Sequence, residues 1–112
     1  MAKPEREFHQ PSTAWVDLGI PGLSERILAE DGETGVCTRL LRFEPGTDTA
    51  PNGTLVHDYW EEIYILSGDL TDTRLSETFT EGGYACRPPG MLHGPWRSKE
   101  GALLFEVRYY SL

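Results

Sequence analysis

The chain is short of cysteine, of positive charge and of long apolar runs, and each shortage removes a class of protein. Only two cysteines occur, Cys37 and Cys86, and they form no CxxC pair. A disulfide between them is open on count alone, but two buried free thiols in a cytoplasmic protein is the expectation. Asp and Glu number 18 against 10 Lys and Arg, a formal net charge of -8. That balance favours solubility and argues against nucleic acid or an anionic membrane as partner. No apolar stretch is long enough to span a bilayer, and the opening MAKPEREFHQ lacks the apolar centre of a signal peptide. A soluble, cytoplasmic protein is expected. Repeats, low-complexity tracts and linkers are missing as well.

What is present is turn punctuation. Twelve glycines and eight prolines are spread along 112 residues of ordinary apolar content. At this length one compact domain with a modest core is expected, and the spacing suits an all-β chain. The polar segment 1–13 reads as an N-terminal arm, and 14–112 as the single domain. Trp15-Val16 reads as a first short strand. Leu23 to Ala29 fits helix or strand, and Val36 to Phe43 alternates as a strand between Asp31-Gly32 and Pro45-Gly46. Gly68-Asp69 reads as a tight turn into a strand over Leu70 to Leu75. Further strands are expected at Glu77 to Thr80, Tyr84 to Arg87 and Ala102 to Tyr110. Eight or nine short strands, with at most one short helix outside them, indicate a sandwich or small barrel.

The stretch NGTLVHDYWEEIYILSG, Asn52 to Gly68, carries the chemistry. His57 precedes Glu61 by four residues, and a core run from Ile63 to Leu66 follows. On one straight strand these two residues would lie about 13 Å apart at roughly 3.3 Å per residue. Two ligands of one metal, each about 2.1 Å from it, are at most about 4.2 Å apart. The chain must therefore turn between them or be helical, and the β-branched and aromatic residues around them favour strands. We read His57 as ending one strand, Asp58 to Trp60 as the turn, and Glu61 as opening the next. Alternation turns just one of Glu61 and Glu62 inward. The bland reading of His57 is a hydrogen-bonded histidine, and that of Glu61 a solvent-exposed carboxylate.

A second motif runs from Gly82 to His93, GGYACRPPGMLH. Together the two stretches resemble the paired motifs of the cupin superfamily. His57, Glu61 and Gly68 match the second histidine, the glutamate and the closing glycine of the first motif. Gly82, Pro88, Gly90 and His93 match the second motif at its spacing. Trp15, Pro21-Gly22, Thr38-Arg39-Leu40, Pro45-Gly46, Glu61-Glu62 and Gly101 extend the resemblance to the cupin type of the ChrR anti-sigma factor and of acetylacetone dioxygenase. It implies a cupin-type double-stranded β-helix, the jelly-roll barrel.

The resemblance further implies a metal centre at His57, Glu61 and His93. The first motif histidine is replaced by Leu55, and the closing asparagine of motif two by Arg97. Four protein ligands thus become three, a two-histidine, one-carboxylate set that leaves positions open, as on non-haem Fe(II). One divalent metal is expected, Fe(II) first, with Zn, Ni or Mn as alternatives. Leu55, Trp60, Tyr64, Tyr84, Cys86, Met91, Trp96 and Phe105 are expected around a small-molecule pocket, with aromatic core filling as the competing reading. The activity implied is a metal-dependent dioxygenase acting on a dicarbonyl-like or other oxygen-bearing compound. A non-oxidative lyase, isomerase or cyclase is one alternative, and a non-catalytic ligand-binding or sensory cupin another. The apolar, aromatic segments Trp15-Val16 and Tyr109-Tyr110 point to a homodimer.

Overall fold

A computed structural model describes residues 3–110. They form eight strands: β1 (Val16–Asp17), β2 (Leu23–Glu30), β3 (Cys37–Phe43), β4 (Trp60–Asp72), β5 (Glu77–Thr80), β6 (Tyr84–Arg87), β7 (Trp96–Arg97) and β8 (Ala102–Tyr109). The helical content among the described residues is one 3-10 turn at Ala50–Asn52. The chain is thus all-β, as its turn spacing indicated. The ambiguous segment Leu23 to Ala29 is strand, because its backbone finds partners on both sides, in β1 and β3. Every strand pairing is antiparallel, in the order β1-β2-β3-β8-β4-β5, with β6 and β7 also on β4. No helix among the described residues is long and apolar enough to cross a membrane.

Strand β4 is the hinge of the barrel. Its first part pairs with β8 and β6, and its last residues, Asp69 to Asp72, pair with β5 and β7. The expected tight turn at Gly68-Asp69 does not occur. The chain bends there without reversing and remains one 13-residue strand. A bulge between Ile65 and Ser67 and the left-handed Gly68 (φ 88) produce the bend. A Cβ on Gly68 would lie 1.9 Å from the Gly101 carbonyl oxygen, so only glycine allows this crossing. The reversal comes later, after Asp72, whose Oδ1 accepts the Arg74 and Leu75 N–H groups.

The core sits between the sheet faces: Ile20, Leu23, Leu41, Phe43, Ile65, Leu70, Ala102 and Leu104. Before the bulge, Glu61, Ile63 and Ile65 point inward, while Trp60, Glu62 and Tyr64 point out. The segment ahead of β1 is extended and lies on β2. Arg26 donates to the carbonyls of Pro11 and Thr13, and Thr13 Oγ1 donates to the Ile27 carbonyl. Both cysteines are free, but only Cys37 is buried. Cys86 falls at an outward position of β6, which alternation between Tyr84 and Arg87 requires.

Candidate metal centre

Two loops and the start of β4 build the site. Leu55 and His93 exchange both backbone hydrogen bonds, Leu55 N–H to His93 O at 2.7 Å and His93 N–H to Leu55 O at 3.0 Å. The Gly90 N–H donates to the His57 carbonyl at 2.9 Å. These bonds place the Pro-Pro-Gly loop beside the histidine stretch. They also explain why His57 does not end a strand: its neighbours' backbone groups are taken by a loop. The turn is shorter than the sequence indicated, and Trp60 rather than Glu61 opens β4.

The structure brings His57, Glu61 and His93 together, with one ligand atom of each within 4.8 Å of the others. His57 Nε2 lies 3.7 Å from Glu61 Oε2, and His93 Nε2 lies 3.9 Å from Glu61 Oε1. Metal ligands stand at most about 4.2 Å apart, so the widest spacing must close by roughly half an ångström. A small side-chain rotation supplies that. His93 Nδ1 faces the Met91 carbonyl at 3.3 Å. Donation from Nδ1 to that oxygen leaves the Nε2 lone pair toward Glu61, the tautomer a ligand needs. The three residues fit a divalent ion.

Residues 5–110 match the family described as the ChrR cupin-like domain. The chain belongs to that family. Comparison with curated protein sequences returns no match. Among solved structures, an RmlC-like cupin from Shewanella frigidimarina shares 18% identity, with a TM-score of 0.76 over 99% of this chain and 96% of its own. An acetylacetone dioxygenase from Acinetobacter johnsonii shares 14% (TM-score 0.71; 98% and 75% covered). The polyketide cyclase RemF from Streptomyces resistomycificus shares 18% (TM-score 0.66; 94% and 80% covered). At these identities the likeness shows the jelly-roll fold, and the fold carries several chemistries.

In this ChrR-like cupin the triad lies on the wall of a cavity of about 170 Å³. Leu55 and Trp96 also lie on its wall. Tyr84, Cys86, Met91 and again Trp96 line a second cavity of about 300 Å³. Trp60, Tyr64 and Phe105 line neither, because alternation along β4 and β8 turns them to the outer face. Trp60 stacks there on Tyr109, with ring centroids 6.3 Å apart. Glu62 is outside too, accepting hydrogen bonds from the Tyr84 and Tyr109 hydroxyls.

The cavity also holds charged groups that the motif reading passed over: Arg39, Arg87, Glu106 and Arg108. Arg87 Nη1 donates to Glu61 Oε1 at 2.6 Å. Arg39 Nε donates to Glu106 Oε2 at 2.7 Å, and its Nη1 donates to Glu25. Arg108 Nη2 donates to Glu106 Oε1 at 3.1 Å, and its guanidinium lies 4.8 Å from the Tyr59 ring centre. Tyr59 in turn stacks on His57 at 4.5 Å. A signal for these residues does exist in the sequence. Arg39 shares parity with Cys37, Leu41 and Phe43, and Glu106 and Arg108 share it with Ala102 and Leu104. Charged residues at inward positions of strands call for partners or a function.

Burial pushes the Glu106 carboxyl above its ordinary range, and Arg39 is the largest influence pulling it back. Burial, then the positive charge of Arg108, lowers His57. Burial and then Arg87 lower His93 to about 4. Both imidazoles are therefore neutral near pH 7, with lone pairs free for a metal. A stability consequence follows for the metal-free chain. The unfolded chain takes up a proton at the ordinary histidine value while folded His93 stays neutral until about pH 4. Its contribution is full above pH 6.5 and lost as the pH falls toward 4. The loss from this one group between pH 7.5 and 5 is about 2 kcal/mol. Urea melts at the two pH values, compared with His93→Gln, should show that difference removed in the variant.

Proposed function

We propose that this chain is a metal-dependent cupin enzyme acting on a small oxygen-bearing organic compound, a dicarbonyl or its enolate, with Fe(II) as the metal and O2 as co-substrate. The observation that carries this reading is the cluster of His57, Glu61 and His93 on a cavity wall shared with three arginines. The chemistry that a bound divalent ion supplies at such a site is Lewis-acid polarisation of substrate oxygen and, for Fe(II), electron transfer to O2. The protein's own residues do the rest. Arg87 fixes Glu61 through Oε1, so that Oε2 faces His57. Arg39 and Arg108 offer positive charge to an enolate oxygen. Leu41, Leu55, Phe43 and Leu104 line the cavity with apolar surface and limit water.

The test is oxygen consumption by the Fe(II)-loaded chain with a panel of 1,3-dicarbonyl compounds. Uptake stoichiometric with substrate loss, abolished by a chelator and restored by Fe(II), is the expected result. Substrate conversion without oxygen uptake would instead establish non-oxidative lyase, isomerase or cyclase chemistry. Binding without turnover would mark a sensory module. The free thiols of Cys37 and Cys86 accord with a cytoplasmic location.

The protein is further proposed to be a homodimer. The register places Leu40, Phe105, Tyr64 and Tyr84 in one row across β3, β8, β4 and β6 on the outer face. Tyr64, Tyr84 and Phe105 are 45%, 61% and 37% exposed, so this row adds a contiguous aromatic surface to the terminal segments. Static light scattering at micromolar concentration should give twice the 12.6 kDa chain mass. Phe105→Glu should halve that mass, and a wild-type monomer would refute the dimer.

A further inference from the structure

The second cavity is the larger of the two, and no step of the proposed chemistry uses it. It lies between β4, β5, β6 and the loop from Met91 to Trp96, and its wall is mainly apolar: Ile65, Leu70, Phe79, Ala85 and Leu92 among others. Leu75, Phe79, Met91 and Leu92 line it while remaining 50%, 38%, 47% and 52% exposed, so its mouth is open and apolar. Its inner wall is the wall of the metal cavity, because Ile63, Leu70, Arg87, His93 and Trp96 line both.

Arg87 supplies the polar end of this chamber. Its side chain is 9% exposed, and among the described residues Glu61 is its one hydrogen-bond acceptor. A guanidinium carries five N–H donors in a planar fork. None of the Arg87 nitrogens is both sealed from solvent and partnerless. Arg87 lines both cavities, so the donors that Glu61 does not take are available to a ligand there. An apolar chamber ending in a nearly buried cation with free donors is complementary to an amphipathic anion, and planar carboxylate matches the fork best.

We infer that the second cavity takes the apolar portion of an amphipathic carboxylic acid, whose carboxylate meets Arg87 at the wall shared with His57, Glu61 and His93. Calling that acid the substrate rests on the metal-centre reading above, whereas the binding itself does not. An alkyl or aryl tail in the chamber and an oxygen-rich head at the shared wall give the substrate two distinct ends.

The test uses the full chain, stripped of metal by a chelator and dialysed, with calorimetric titration of n-alkyl carboxylates from propanoate to decanoate and of the matching n-alkanols. Affinity should rise roughly fourfold per methylene until the chamber is full. Each alkanol should bind at least tenfold more weakly than the acid of equal length. Ala85→Phe, which fills the chamber from β6, should remove the chain-length dependence while leaving divalent-metal affinity, titrated separately, unchanged. Met91→Ser, at a half-exposed loop position that folds regardless, should weaken octanoate several-fold. Affinity independent of chain length, acids and alkanols bound equally, or a chain-length dependence untouched by both variants would each overturn the inference. Wild type that binds the acids in this manner but no divalent metal would overturn the metal-centre reading and leave the chamber standing.

Discussion

Replacing His93 with alanine is expected to lower the affinity for a divalent ion by roughly a hundredfold or more, about 3 kcal/mol. His57 and Glu61 come from one short stretch of chain, and His93 is the candidate ligand that the Pro-Pro-Gly loop brings across to them. Without it two ligands remain, and one of these, Glu61, is already engaged by Arg87 through Oε1. The reverse change is as informative. Leu55 lines the same cavity and is bonded backbone to backbone with His93, so Leu55→His puts a third imidazole, and a fourth candidate ligand, beside His57, Glu61 and His93. That variant should bind metal about tenfold more tightly and turn over more slowly, because the new ligand takes a position that substrate or oxygen would use. Calorimetric titration of Fe(II) or Zn2+ into the chelator-treated wild type and both variants measures these changes. Equal affinity in wild type and His93→Ala would place the metal elsewhere or dispense with it.

Removing Arg39 should have the largest effect on stability. Glu106 is 1% exposed, and Arg39 donates to it through Nε while Nη2 lies 2.6 Å from the same oxygen. Arg108 touches the other carboxylate oxygen at 3.1 Å but is itself more exposed. Taking away one partner of a buried pair costs about 3–5 kcal/mol, and the lower end applies here because Arg108 still contacts Glu106. Arg39→Met keeps much of the volume and removes the charge. With Arg108 as the remaining cation beside it, Glu106 takes up a proton more readily, and burial already raises its pKa. The destabilisation of Arg39→Met should therefore be greatest near pH 8 and shrink toward pH 5, as protonation of Glu106 relieves the under-compensated charge. Denaturant unfolding of wild type and variant at both pH values tests this. A pH-independent difference would mean that lost packing, not the ion pair, explains the effect. The double variant Arg39→Met with Glu106→Gln should recover part of the loss, as a coupled pair requires.

Much of the molecule could be read from residue order. Strands β3, β5, β6 and β8 were legible because their alternation lies between glycine and proline turns, a signal local to each segment. The triad was legible because the spacing from His57 to Glu61 and the Pro-Pro-Gly before His93 are local patterns too. Three things were not local. The bend at Gly68 looks like a turn in the sequence. It continues as strand because β5 and β7 are there to pair with Asp69 to Asp72, and because the Gly101 carbonyl fills the space a side chain would need. The facing of Trp60, Tyr64 and Phe105 depended on which parity of β4 and β8 met the core, and the inward Glu61 and Leu104 decided that. The second carboxylate lining the metal-site cavity, Glu106, is tolerable because Arg39, 67 positions earlier, reaches it across the β3–β8 pairing and Arg108 takes its other oxygen. Residue order by itself marked strands β3, β5, β6 and β8 and the His57, Glu61 and His93 positions that come together in space. Tertiary pairing decided which charges meet, since a buried ion's partner is set by neighbouring strands rather than by its neighbours in the chain.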